Sequence, residues 1–233
     1  MTERVVITGA NRGLGLELAR TYAGAGAEVW AGCRRPAEAT ALREVTDHVH
    51  VLDLGSTESI DAFAAALGDA PIDVLINNGG VDARNFGVAD GERDVLQLSG
   101  EHFIEEMRIN ALGPLLLTRA TLDRLRATPR PRIVNVTSQV GSMEVAKVTG
   151  RDIGYTSSKA ALNMITVKLA MRLRDEGVIA IALHPGFLRT DMGGAGADLD
   201  PAEAAALIVA LVDGLSLEQS GQFLRWNGTV HPW

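Results

Sequence analysis

Apolar positions along the chain fall in short continuous runs separated by longer stretches of helical periodicity. The runs RVVITG (4–9), EVWAGC (28–33), HVHVLDL (48–54), IDVLIN (72–77), RIVNVTS (132–138), VIAIALHPG (178–186) and GQFLRW (221–226) are short and rich in β-branched residues, and they predict seven strands. Between them, LGLELARTYAGAG (14–26), AEATALREV (37–45), SIDAFAAALG (59–68) and residues 101–127, 155–175 and 201–213 carry helical spacing, with Ser56 placed to cap the third helix. Residues 79–100 and 139–153 are polar or glycine-rich and predict loops. Strands that are apolar almost throughout, alternating with helices, imply a parallel sheet covered on both faces. The expected fold is α/β: a doubly wound parallel sheet in one domain spanning residues 1–233.

Composition narrows the function classes. A hydrophobic fraction of 46% marks a chain with a substantial core, and a net charge of -7 with no Lys/Arg cluster argues against a nucleic-acid partner. Cys33 is the one cysteine, and His48, His50, His102, His184 and His231 show no metal-ligand spacing, so no structural metal is expected. The N-terminal MTERVVITGA enters a strand almost at once, and no apolar run reaches membrane-spanning length. The expectation is a cytoplasmic protein.

The first strand runs straight into TGANRGLG (8–15). Gly9, Gly13 and Gly15 stand at a strand-to-helix turn, where glycine gives φ freedom, lets a backbone approach a pyrophosphate and packs helix on strand. The helix N-terminus then offers unpaired N–H groups to phosphate. A Rossmann-like sheet for a dinucleotide follows from that placement. The second strand ends in Arg34 and Arg35, with Arg12 in the glycine turn, and no acidic residue stands there to take a ribose 2′-OH. Guanidinium groups suit a 2′-phosphate, which predicts NADP(H) over NAD(H). Asp53 ends the third strand on the same sheet edge, as a helix-entry residue or as a partner for an adenine amino group. The NNGG stretch, residues 77–80, closes the fourth strand; alone it is a turn, and at this edge Asn77 and Gly79 are expected to line the adenosine groove.

The chemical candidates lie further along. GYTSSK places Tyr155 and Lys159 four apart at a helix start, on one face, in a chain with two tyrosines and three lysines. An ammonium beside a phenol favours the phenolate, so Lys159 is expected to lower the pKa of Tyr155. Ser138 closes the strand RIVNVTS, where its hydroxyl caps the strand end or holds a carbonyl oxygen beside the phenol. Asn110 precedes Pro114 by four residues within a predicted helix. Proline lacks the N–H that this carbonyl would accept and its ring crowds it, so the Asn110 carbonyl is expected to be free, the helix bent, and a water held there.

Gly9-x3-Gly13-x-Gly15, Asn77-Asn78-Gly79, Asn110, Ser138, Tyr155-x3-Lys159 and the Pro185-Gly186 pair resemble, in order and over nearly the whole chain, the classical short-chain dehydrogenase/reductases. The length and the ending GQFLRWNGTVHPW look most like the carbonyl-reductase-like branch that includes the C-factor and sniffer proteins. The resemblance implies Tyr155 as general acid/base, Lys159 as the group that tunes it and holds the nicotinamide ribose, Ser138 as the carbonyl-orienting hydroxyl and Asn110 as carrier of a relay water. It further implies cofactor contacts from Asn11, Arg12, Leu14, Leu54, Asn78, Pro185, Gly186, Leu188 and Thr190, besides the glycine turn, Arg34, Asp53, Asn77 and Gly79. The substrate implied is a small ketone, aldehyde or secondary alcohol. Gly80 stands where the family usually has Ala, the 17-residue step from Ser138 to Tyr155 is longer than usual, and the segment 187–200 is brief for a substrate lid. Met143, Phe187 and Met192 point to an apolar substrate portion, and helices 101–127 and 155–175 carry surplus apolar surface for a dimer or tetramer. The competing readings are a nucleotide-binding regulatory protein with little turnover and an NAD-dependent alcohol dehydrogenase.

Overall fold

The computed structural model describes residues 2–146, 152–190 and 196–233. The seven strands form one sheet in the order β3-β2-β1-β4-β5-β6-β7. They are β1 (Arg4–Thr8), β2 (Glu28–Cys33), β3 (Val49–Val51), β4 (Val74–Asn77), β5 (Arg132–Val136), β6 (Ile179–His184) and β7 (Phe223–Arg225). Every adjacent pair is parallel. The order reverses between β1 and β4, which leaves a crevice at their carboxyl ends.

The helices are α1 (Gly13–Gly24), α2 (Thr40–Arg43), α3 (Thr57–Ala66), α4 (Gly100–Met107), α5 (Gly113–Arg126), α6 (Ile153–Leu173) and α7 (Pro201–Gly214). Side-chain alternation along the strands builds two cores. Val5, Ile7, Val74, Ile76, Val134 and Ile181 face one layer with Leu14, Leu18 and Ile208 of α1 and α7. Val6, Leu75, Ile133 and Ala180 face the other with Ile60, Phe63, Leu117 and Ala170 of α3, α5 and α6. Each fully buried aliphatic side chain contributes about 1.5–3 kcal/mol by leaving water.

Several sequence expectations are corrected here. The third strand is shorter than HVHVLDL because Asp53 turns the chain: its carboxylate accepts from the Gly55 N–H at 2.9 Å. Ser56 caps α3 as expected, accepting from the Ser59 N–H at 3.1 Å. The second helix shrinks to Thr40–Arg43 behind a 3-10 turn that starts at Pro36. The loop 79–100 holds two 3-10 turns, the first capped by Asp82. The helix expected over 101–127 is interrupted by a π-turn at Arg108–Leu112, where the Gly113 N–H bonds the Arg108 carbonyl five residues back. Pro114 follows immediately and has no N–H for Asn110, so the hydrogen-bond register shifts there; the irregularity expected as a bend takes the form of this widened turn. Among the described residues no helix is long and apolar enough to cross a membrane.

Candidate active site

Each strand delivers its carboxyl end to one edge of the sheet, where a cleft of about 790 Å³ opens. At one end lies the glycine turn. Gly9 and Gly13 have φ of +64° and +53°, which L side chains rarely adopt. A Cβ on Gly15 would overlap the Gly9 carbonyl, and one on Gly9 would lie 2.7 Å from the Gly79 Cα. The NNGG stretch therefore answers to close backbone approach: Gly79 presses on Gly9, and the Gly79 N–H bonds Thr8 Oγ1 at 2.9 Å. No side chain of the Arg12 N-cap satisfies the start of α1, and its first turn carries no acid, so the N-terminal amides face the cleft. Asn11, Arg12, Leu14, Arg34, Arg35, Asp53 and Leu54 line this end. Arg35 pairs with Glu38 at 3.3 Å, while Arg34 is exposed.

The adjoining asparagines divide. Asn78 lines the cleft and its amide donates to the Thr8 carbonyl at 3.0 Å. Asn77, expected at the groove, points the other way: it is buried and donates to Asn135 Oδ1 at 2.8 Å, and Asn135 in turn donates to Thr166 Oγ1 at 2.8 Å. The physical reason is the strand's alternation, which sends neighbouring side chains to opposite faces. Asn77 ties β4, β5 and α6 together beneath the site.

Tyr155, Lys159, Pro185 and Leu188 line the rest of the cleft, and Thr190 returns to the glycine turn, its Cγ2 3.3 Å from where a Cβ on Gly13 would stand. Gly186 turns the chain after β6 with φ +95° and packs against Leu199 and Trp226, so its part is backbone geometry. Ser138, two residues past β5, stands by the Tyr155 phenol and favours its ionised form. Lys159 is buried, donates from Nζ to the Val136 carbonyl at 2.9 Å and lies 5.6 Å from the centre of the Tyr155 ring. Asn110 is fully buried as a clasp: its Oδ1 accepts from the Val81 N–H at 2.8 Å, and its Nδ2 donates to the Val81 carbonyl at 2.7 Å and to Ser158 Oγ at 2.9 Å. A Cβ on Gly80 would stand 3.3 Å from both Asn110 Oδ1 and Lys159 Nζ, which explains why this chain is pinched where the family usually has Ala.

The electrostatics differ from the sequence expectation. Burial pushes the Tyr155 phenol up to about 12, only partly opposed by Ser138. Burial pushes Lys159 down to about 8. Lys159 does not lower the phenol here because its hydrogen bond goes to Val136 and loss of solvent dominates both groups. At neutral pH the phenol is therefore held in its protonated, proton-donating form.

Sequence reasoning missed the charges around this end. Asp82 is buried, lines the cleft and pairs with Arg84 at 2.5 Å. Arg93, also buried, bridges Asp90 at 2.7 Å and Asp152 at 2.9 Å. Glu106 is buried beside Gly154. One signal was available: Glu106 lies one helical turn before Asn110, hence on the same face. Met143 and Phe187 are exposed, and Met192 lies outside the described residues, as do parts of the loop 139–153 and of the segment 187–200.

Comparisons with known proteins agree with this geometry. The family described as short chain dehydrogenase matches residues 3–198. C-signal of Myxococcus xanthus is 40% identical over 172 residues, covering 74% of this chain and 99% of that protein. The NADPH-bound carbonyl reductase from chicken fatty liver is 30% identical, with a TM-score of 0.88 over 100% of this chain and 99% of that one. The carbonyl reductase Sniffer of D. melanogaster is 28% identical, with a TM-score of 0.87 over the whole of both chains. A seven-stranded doubly wound sheet, a glycine turn at its first crossover and the Ser138–Tyr155–Lys159 cluster at the same edge thus occur together in a chain that belongs to the short chain dehydrogenase family and is an oxidoreductase.

Proposed function

We propose that this protein is an NADP(H)-dependent carbonyl reductase, with residues 1–233 acting as one cofactor-binding and catalytic unit. The observation that carries the reading is a protonated Tyr155 phenol beside Ser138, in a cleft that also holds an uncapped helix N-terminus flanked by Arg12 and Arg34. The glycine cradle, which any Cβ would fill, fits a pyrophosphate. Arg34 with Arg12 meets a 2′-phosphate, and Asp53 and Leu54 border the adenosine portion. The hydride is the chemistry that NADP(H) supplies when bound.

The chain's own residues do the rest. Ser138 orients the substrate carbonyl oxygen towards the phenol. Tyr155 gives its proton to that oxygen as carbon gains the hydride, leaving an alcohol and a phenolate. Lys159 holds the nicotinamide ribose, and Asn110 carries a relay water that reprotonates Tyr155. With the phenol held up near 12, Tyr155 rests at neutral pH in the protonated form, the form that can donate to a carbonyl oxygen. Asp82 and Arg84 make the mouth polar on one side, while Met143 and Phe187 offer apolar surface to a substrate with an apolar portion. The protein acts in the cytoplasm as a homo-oligomer, for which exposed Ile104, Leu112, Met164 and Met171 supply apolar surface.

Oxidation of NADPH by the purified protein across a panel of aldehydes and ketones tests the reading. Turnover with NADPH above NADH is expected. A second reading, a nucleotide-binding signalling protein with little turnover, is favoured by the similarity to C-signal. Tight NADPH binding with no turnover on any carbonyl would decide for it, and a preference for NADH with alcohol oxidation would decide for an NAD-dependent dehydrogenase.

A further inference from the structure

Glu106 ends α4 one turn before Asn110, and its side chain is buried. Neither carboxylate oxygen makes a hydrogen bond of good geometry, and it is the only such carboxyl among the described residues. It is aimed at the first turn of α6: a Cβ on Gly154 would overlap Oε2, so only glycine admits the acid at that point. Asp152, the N-cap of α6, has φ 57° and ψ 36° and makes no side-chain cap bond. The start of the helix that carries Tyr155 thus receives a carboxyl from α4 where a capping side chain is absent. Four residues on, Asn110 donates to Ser158 Oγ, which donates to the Tyr155 carbonyl at 2.7 Å. One face of α4 and the π-turn therefore registers the catalytic helix at two successive points.

We propose that Glu106 is a positioning residue for Tyr155, seating the first turn of α6 and setting the proton affinity of the phenol through its own protonation state. This rests on the reading of Tyr155 as the acid. The charged and titratable groups facing Glu106 are Asp82 from the turn after β4, Arg93 from the following loop, Asp152 at the N-cap of α6 and Tyr155 within it; Arg84, paired with Asp82, acts on the phenol. On its own helix Glu105 pairs with Arg108 at 3.6 Å at the surface. Burial, then Asp82 and Asp152, push the carboxyl up to about 7, with the Ala83 amide and Arg93 opposing. Ionisation adds a negative charge near the phenol and raises its proton affinity further, a direction in which Glu106 already acts on Tyr155. A weaker acid donates more slowly. Carbonyl reduction therefore falls as pH rises through the Glu106 transition.

The test is Glu106→Gln in the full chain, which keeps the shape and fixes the neutral form. Wild-type kcat should fall several-fold as pH rises through about 7, and the variant should lose that step. Without cofactor, ultraviolet titration of the phenol, with Tyr155→Phe subtracted, should show Tyr155 ionising roughly one pH unit lower in the variant. A variant that is active with an unchanged pH profile, or an unmoved phenol titration, overturns the proposal. Should Glu106→Gln fail to fold, infrared titration of wild type decides: a protonated carboxyl that disappears through about pH 7 together with a shift in the phenol supports it, and its absence overturns it. Failure of the underlying reading looks different, since Tyr155→Phe would then retain turnover.

Discussion

On the proposed reading, cofactor choice turns on Arg34. It is exposed at the cleft, whereas Arg35 beside it is engaged by Glu38. Arg34→Asp is expected to reverse the preference from NADPH to NADH in a cofactor titration, since a charge-assisted contact is worth about 1.5–3 kcal/mol and Asp adds repulsion. A wild type that prefers NADH would sink the clamp. At the other end, Tyr155→Phe keeps the ring and removes the acid. Turnover should drop by roughly 10²–10⁴-fold while cofactor affinity, measured by fluorescence titration, stays near wild type. Lys159→Ala should lower both, because Lys159 braces β5 through Val136 beneath Tyr155 and is proposed to hold the nicotinamide ribose. Substantial turnover in the Phe variant would remove Tyr155 from the chemistry.

Among the elements, the π-turn at Arg108–Leu112 between α4 and α5 has an identifiable cause in Pro114. It also has a consequence, because it lies where Asn110 clasps Val81 and reaches Ser158. Pro114→Ala restores an N–H four residues after Asn110 and permits the regular register. In a regular helix interior Ala exceeds Pro by about 3 kcal/mol, so the variant is expected to melt higher. It is also expected to turn over more slowly, since the Asn110 carbonyl is then occupied and its side chain rotates away from Val81. Local irregularity that costs stability while serving activity would show as these opposite signs. An unchanged rate together with an unchanged pH profile would refute the link.

For the whole molecule, buried titratable groups give pH-dependent stability. His184, buried at the end of β6, is pushed down to about 4 by burial and by neighbouring His231 and Arg225. Its folded pKa lies below the ordinary value of 6.5, so the unfolded chain binds the extra proton between those values. Its contribution is intact above 6.5 and is lost as pH falls towards 4, by at most ~3 kcal/mol at 1.36 kcal/mol per unit. Glu106 acts with the opposite sign between 4.5 and about 7, so the wild-type curve alone mixes the two. The clean measurement is the difference in denaturant stability between wild type and His184→Gln across acid pH. That difference should shrink as pH falls through the window; a constant difference would mean that His184 takes up its proton as readily in the folded state as in the unfolded one.

The apolar runs determined seven strands, their alternation with helices and the sheet edge on which Gly9, Ser138 and Tyr155 end, because local patterning and chain order suffice to set a parallel sheet. They also fixed Pro114 as a break, a covalent property of one residue. Other outcomes depended on tertiary contacts. Whether Asn77 faced cleft or core was decided by strand register, which joins it to Asn135. Whether Lys159 lowered the phenol was decided by its bond to Val136 and by burial, quantities that sequence spacing does not contain. Glu106 is the sharpest case. Its spacing to Asn110 shows the shared helical face, but only the packing of α4 on α6, admitted by the missing Cβ of Gly154, brings that acid against the helix that carries Tyr155.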